Sequence, residues 1–95
     1  MLYGHPTDPA AFEEYYANTH MPLAGKMSGI EKVETAKVVG TPDGGKPDFY
    51  RSADLYFSDQ EAMAASMGSP EGQATTADIG NFATGGATVL ISAVD

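Results

Sequence analysis

The sequence predicts an α+β fold of the ferredoxin-like type, in which a four-stranded antiparallel sheet carries two helices on one face. Two segments combine helix caps with apolar residues at helical spacing, and four segments have the composition of strands. Their order along the chain is βαββαβ, which is the order of the ferredoxin-like arrangement. A chain of 95 residues can bury one core but not two, so residues 1–95 are predicted to form a single domain.

The first half of the chain begins with one short strand and one long helix. Residues 1–3 are apolar, and a glycine and a proline follow shortly after them. Asp8 is a candidate N-cap, and Pro9 occupies the first helical position, where its missing N–H is not needed. Aromatic and apolar side chains then recur at helical spacing. Pro22 is expected to end or kink this helix, and residues 23–27 to add at most one short turn.

Two strands occupy the middle of the chain. Residues 30–39 are rich in valine, although their alternation is poor. Residues 40–47 are dominated by glycine and proline and are predicted to be a loop. Residues 49–57 alternate two sets of side chains, and bulky residues occur in both sets. Both faces of this strand are therefore expected to be covered.

The second half supplies another helical region and the last strand. Ser58 and Glu61 have the spacing of a capping box, and Gly68 is expected to end the helix that this box starts. A serine and a proline then start a further helix over residues 69–79. After a glycine-rich loop, residues 87–94 form the most β-branched run of the chain and are predicted to be a strand.

The charge balance narrows the possible partners. Five lysines and arginines face thirteen aspartates and glutamates, which gives a net charge of −8. Nucleic acids and anionic membranes attract positive surfaces, so neither is expected as a partner. A neutral, mostly apolar small molecule suits this balance better. The start of the chain lacks the basic and apolar regions of a signal peptide, and no apolar run is long enough to span a bilayer, so a cytoplasmic location is expected.

Neither a metal nor a cofactor is predicted. The chain has no cysteine, which excludes disulfides and thiolate chemistry, and its two histidines lie far apart without the spacing of a metal site. Its paired glycines do not lie between a strand and a helix as in a phosphate-binding loop, and they are interpreted as turns.

Several segments, in this order and spacing, resemble the EthD-like family of the dimeric α+β barrel superfamily. They are DPAAFEEYY at 8–16, THMPLA at 19–24, YFSD at 56–59, SPEGQ at 69–73, and residues 78–86, which end in NFATGG. Together they extend over nearly the whole chain. One departure is the first strand, which is usually longer in the family than residues 1–3.

The resemblance implies a homodimer whose two sheets face each other, with a small-molecule pocket between the helices and the sheet of each protomer. The family is named for a gene in ethyl tert-butyl ether degradation. Relatives in the superfamily include cofactor-free monooxygenases, polyketide cyclases and decarboxylases as well as haem-handling proteins, so the fold does not choose the reaction. The homodimer also follows from the strand pattern, because a second apolar sheet face must be hidden.

His20 is the first candidate for a catalytic group. It lies near the predicted end of the first helix, just before Pro22. An imidazole there can accept a proton from a phenol or an activated carbon acid. The alternative interpretation is a helix C-cap that binds free carbonyl groups. Because Pro22 restricts the backbone next to His20, we expect its ring to contribute to the pocket.

Tyr16 is the second catalytic candidate, because a phenol can hydrogen-bond to an oxyanion. Adjacent helical residues cannot share a face, so one of Tyr15 and Tyr16 is expected to be buried and the other to lie near the rim. The candidate substrate-binding residues are Tyr15, Arg51, Asp54, Tyr56 and Phe82. For the aromatic residues the alternative is core packing, and for Arg51 it is an ion pair at the surface or the dimer interface.

Two classes of function follow from the sequence. The first is a metal-free enzyme of the oxygenase, cyclase or decarboxylase type that acts on a small apolar or aromatic oxygenated compound. The second is a non-catalytic binding or accessory protein that uses the same pocket. An isolated histidine does not decide between them.

Overall fold

A computed structural model describes residues 1–95 and contains four short strands and four α-helices. The strands are β1 Leu2–Tyr3, β2 Lys32–Lys37, β3 Arg51–Tyr56 and β4 Ala87–Thr88. The helices are α1 Pro9–Tyr15, α2 Met21–Ala24, α3 Gln60–Gly68 and α4 Pro70–Asp78. A π-helical segment, Tyr16–His20, joins α1 to α2, and one turn of 3₁₀ helix, Ile79–Asn81, follows α4.

The strands form one sheet in the order β2-β3-β1-β4, and every neighbouring pair is antiparallel. This order confirms the predicted ferredoxin-like arrangement. The core lies where the first helix and the segment after α4 pack on the centre of the sheet. Its five buried members, four of them aromatic, are Tyr3, Phe12, Tyr16, Ala53 and Phe82.

Side-chain caps determine where the helices begin. The carboxylate of Asp8 accepts a hydrogen bond from the Ala11 N–H at 3.1 Å, which confirms the predicted start of α1. Ser69 caps α4 as predicted. The predicted Ser58 capping box is wrong, because Asp59 has the extended backbone of a cap and accepts from the Ala62 N–H at 2.7 Å. Asp is as good a cap as Ser, and the helix begins one residue later.

The first helical region continues past Pro22, so the chain is not broken there. In the π-helical segment the Met21 N–H bonds to the carbonyl of Tyr16, five residues earlier. A proline ring inside a helix crowds the carbonyl four residues before it, and the wider π turn relieves that crowding. His20 therefore lies inside a continuous helical region, and the C-cap interpretation of this residue is wrong.

The last strand is much shorter than predicted. Leu2 pairs with Thr88 and Tyr3 with Ala87, so β1 offers only these two residues to β4. Residues 89–94, which the β-branched composition assigns to the strand, extend beyond this pairing and have no regular structure. Strand composition is realised only where a neighbouring strand supplies hydrogen-bond partners. Four large apolar side chains are exposed here: Val89, Leu90, Ile91 and Val94.

The face of the sheet turned away from the helices is more polar than predicted. Opposed residues of an antiparallel pair lie on the same face, and on this face Lys32 opposes Tyr56 while Glu34 opposes Asp54. The Lys32 ammonium group lies 2.6 Å from the Glu34 carboxylate and also above the Tyr56 ring. The expectation of two apolar faces is therefore wrong for the part of the sheet formed by β2 and β3.

Candidate functional site

A cavity of about 320 Å³ lies between the helices and the sheet. Met21, Ala24 and Met63 line it from the helices, and Ala53 and Leu55 line it from β3. Seventeen of its twenty lining residues are hydrophobic. A dry apolar cavity of about 150 Å³ in another protein holds benzene. The present cavity is therefore large enough for a compound of about two rings.

His20 is the only titratable imidazole in the wall of this cavity. Its residue is only 4% exposed, and its Nδ1 lies 3.0 Å from Oδ2 of Asp78. The ring is held between aromatic neighbours, with centroid distances of 4.6 Å to Phe82 and 5.7 Å to Tyr16. Nε2 makes no hydrogen bond within the protein and is not among the fully enclosed polar atoms. The π-helical segment thus brings one unpaired ring nitrogen to the cavity.

Asp78, at the end of α4, orients this ring. Its Oδ1 accepts hydrogen bonds from the Tyr15 hydroxyl at 2.5 Å and from the Asn81 amide at 3.0 Å, while its Oδ2 faces His20. Burial acts to raise the pKa of Asp78, but the hydrogen bonds from Tyr15, Asn81 and His20 outweigh it and hold the pKa below its ordinary value. The carboxyl group is therefore ionised at neutral pH and serves as an acceptor.

This ionisation determines which nitrogen of a neutral His20 carries the proton. A carboxylate can only accept, so the imidazole Nδ1 must be the donor in its contact with Asp78. In a neutral ring the remaining nitrogen, Nε2, then has a free lone pair. The dyad presents a proton acceptor to a mostly apolar cavity and places a negative charge behind it. That charge stabilises the imidazolium ion formed when Nε2 takes up a proton.

Tyr16 lines the same cavity, one helical turn from His20. Its ring is buried between the Phe12 ring, at 5.5 Å, and the Arg51 guanidinium group, at 5.0 Å. Its hydroxyl is buried and has no hydrogen-bond partner in the protein. Burial raises the pKa of Tyr16 above its ordinary value, although Arg51 opposes this effect. The hydroxyl is therefore neutral and unsatisfied, and because the protein encloses it, it does not meet a ligand in the cavity.

Two of the five candidate substrate-binding residues lie behind the histidine and not in the cavity wall. Tyr15 is half-buried and binds Asp78, whereas its neighbour Tyr16 is buried, as the helical spacing predicts. Phe82 belongs to the aromatic core and packs against His20 and Tyr15. Both residues contact the dyad directly, so they support the site from behind.

The other three candidates lie away from the cavity. Arg51 forms a two-point ion pair with Glu13 of α1, so its partner lies within the same chain. Asp54 is exposed on the open sheet face, where its carboxylate is 3.9 Å from the terminal ammonium group of Met1. Tyr56 is on that face as well. The structure brings none of these three to His20.

Sequence reasoning missed Asp78 and Asn81. Asp78 lies 58 residues from His20 along the chain, and no local spacing connects them. One signal was available, because both residues fall in the segment 78–86 that carries part of the family resemblance. These two polar residues are three positions apart at the end of a predicted helix, just before a glycine-rich turn. Packing of a core does not require polar side chains there.

No group of three or more His, Asp or Glu side chains is arranged to hold a metal ion. The four helices are also too short and too polar for any of them to cross a bilayer.

Comparison with known proteins gives this fold and site a context. Residues 4–86 match the sequence model described as the EthD domain. The chain belongs to the EthD family. The predicted resemblance is thus confirmed over most of the chain. The match includes His20 and Asp78 and ends before residues 89–94.

Two relatives of this EthD-family chain are similar over most of their length. An uncharacterised 11.0 kDa protein in the thcB-thcC intergenic region of Rhodococcus erythropolis is 39% identical over 92 residues, which are 97% of this chain and 88% of the relative. The crystal structure of an ethyl tert-butyl ether d (EthD) family protein from Bacillus halodurans C-125 matches with a TM-score of 0.81 and 38% identity. That match extends over 86% of this chain and 81% of the other.

Proposed function

We propose that this chain binds a small, mostly apolar, oxygenated compound in its cavity and that His20 accepts a proton from it. The observation that carries the proposal is the His20–Asp78 dyad, whose free Nε2 faces a cavity with largely hydrophobic walls. A ligand with one acidic O–H or C–H group would find one strong acceptor there. The apolar walls would hold the rest of the molecule.

The proposed step is a simple proton transfer. The O–H or C–H bond of the ligand breaks, an N–H bond forms at Nε2, and the negative charge remains on the ligand. Asp78 stabilises the imidazolium ion, which pairs with the new anion on the ligand. An oxygenase, cyclase or decarboxylase reaction can follow from such an anion without a metal. The name of the Bacillus relative, which refers to an ether, is consistent with an oxygenated apolar ligand.

Binding without catalysis is the second candidate function. Seventeen hydrophobic residues in the cavity wall favour it, because apolar walls retain an apolar ligand whether or not a proton moves. The two functions differ in the protonation state of the bound ligand, so one titration separates them.

The test uses 4-nitrophenol, whose absorption spectrum reports its own ionisation. At a pH below the pKa of the free phenol, we expect the protein to bind it and produce the phenolate band. His20→Asn should retain binding but lose that band, because the amide offers no basic nitrogen. The matched control is His5→Asn, since His5 is exposed in a loop and bonded to the Pro47 carbonyl. Binding without a phenolate band in the wild type favours the non-catalytic function, and an unaltered band in His20→Asn rules out His20 as the base.

We also propose that the chain acts as a homodimer. Only 13 residues are buried, and the chain exposes 6102 Å² of surface. A folded monomer of 9.9 kDa is expected to expose about 5200 Å². Part of this excess is the exposed apolar segment 89–94, which a second copy can cover.

A further inference from the structure

All five methionines of this chain lie in the wall of one cavity. They come from separate parts of the structure: Met1 at the start of the chain, Met21 in α2, Met27 just after it, and Met63 and Met67 in α3. The wall also holds six branched aliphatic side chains, and among the methionines Met27 is itself buried while Met1 and Met21 pack against the aromatic core. Methionine is therefore concentrated where a ligand would lie.

A methionine wall differs physically from a wall of branched residues. The methionine side chain is unbranched and has three rotatable bonds, so it can fill gaps of different shapes. Its sulfur is polarisable and makes favourable contacts with aromatic rings. Leucine, isoleucine and valine have fewer accessible conformations and present a more fixed surface.

The polar part of the cavity wall is held more rigidly than the methionine side chains. The carboxylate of Asp78 and two aromatic rings hold the His20 ring in place. Three hydrogen bonds fix Asp78 in turn. The cavity thus combines one fixed acceptor with an apolar wall in which the five methionines are the adaptable members. The more fixed branched members are Val33, Leu55, Ile79, Val89, Leu90 and Ile91.

We propose that the methionines make this a site of broad shape tolerance, which selects ligands by an acidic hydroxyl group near His20 and not by the outline of their apolar part. The ligand class is phenol-like compounds of one or two rings with linear, branched or multiple alkyl substituents. This inference rests on the proposed function, because it takes His20 as the group that the hydroxyl meets.

The experiment compares three isomeric phenols: 4-propylphenol, 4-isopropylphenol and 3,4,5-trimethylphenol. Isomers remove nearly the same apolar area from water when they bind, so differences in their affinities reflect differences in their shape. Titration calorimetry of the wild-type protein should give dissociation constants within about tenfold of one another. The double variant Met27→Leu/Met63→Leu should widen this spread beyond about tenfold, because Leu replaces Met with similar volume and less freedom. Leu23→Met, outside the cavity wall, is the control and should leave the spread unchanged.

Each outcome bears on the proposal. A spread beyond tenfold in the wild type overturns it, and so does an unchanged spread in the double variant. If none of the three phenols binds, both this inference and the proposed function fail. If the spread behaves as expected but bound 4-nitrophenol stays protonated, the adaptable wall stands and the proposed base does not.

Discussion

The buried carboxylate of Asp78 holds three other polar groups in place. It accepts hydrogen bonds from a phenol, an amide and an imidazole on three different parts of the chain, and it is only 7% exposed. A buried charge is stable only when its hydrogen-bonding capacity is used, and here both oxygens are occupied. The tautomer of His20 depends on this residue, although Asp78 does not itself line the cavity.

Replacing Asp78 by asparagine is expected to lower the free energy of unfolding at neutral pH by about 1–3 kcal/mol. The amide can keep all three contacts, but it removes the negative charge, so the hydrogen bonds from Tyr15, Asn81 and His20 lose their charge-assisted strength. The same change should abolish the phenolate band of bound 4-nitrophenol, because an amide N–H facing Nδ1 favours the tautomer with the proton on Nε2. Urea unfolding and the absorption titration measure the two effects separately.

The pH dependence of stability gives a further measure of the same residue. The pKa of folded Asp78 lies below the ordinary value of 3.8, so its contribution is complete above that pH and is lost as the pH falls through the folded-state pKa. Urea unfolding of the wild type should therefore show a declining free energy below about pH 4. Asp78→Asn should show a shallower decline. Glu13, whose pKa is also lowered, contributes to the pH dependence of stability in both proteins. Equal declines of stability with falling pH in the wild type and in Asp78→Asn would contradict the role given to Asp78.

At the scale of elements, the contact between α3 and α4 depends on one glycine. A Cβ atom at Gly72 would lie 2.2 Å from the Ser66 carbonyl oxygen and 2.7 Å from that of Met67. These are backbone atoms and cannot move aside alone. The close approach sets where α4 lies against α3, and the far end of α4 carries Asp78.

Gly72→Ala should therefore destabilise the protein by about 1–3 kcal/mol through overpacking, although alanine is the better helix former. Gly68→Ala is the matched control, since Gly68 also lies in a helix and a Cβ there meets nothing within 4 Å. That change should be neutral or stabilise by up to about 1 kcal/mol. Thermal or urea unfolding of both variants decides the matter, and similar effects at the two sites would contradict the packing argument.

The helices and strands differ in how well the sequence predicts them. Asp8 with Pro9 and Ser69 with Pro70 are local signals, and both helices begin where these signals predict. The extent of β4 depends instead on a partner strand 85 residues away, because Leu2 and Tyr3 alone pair with it. The His20–Asp78 dyad is likewise a tertiary contact. Local chemistry therefore predicts the elements and their order, whereas lengths and side-chain partners require the folded chain.

For the whole molecule, the central prediction is its mass in solution. Size-exclusion chromatography with light scattering should give twice the 9.9 kDa of one chain at micromolar concentration. The physical reason is the exposed apolar segment 89–94, which association can remove from water. A mass of one chain over the whole concentration range would overturn the homodimer. It would leave the His20–Asp78 dyad intact, because all its hydrogen bonds lie within one chain.

The unpaired segment 89–94 also affects how the protein behaves when no second copy covers this segment. Its six residues contain no charge and no proline, and three of them are β-branched. Such a sequence has the composition of cross-β segments, which stack into fibrils when their backbones are free. It adjoins β4, an edge strand with only two paired residues, and an edge strand has free backbone groups to which another strand can pair. We therefore expect protection from aggregation to depend on keeping this segment covered.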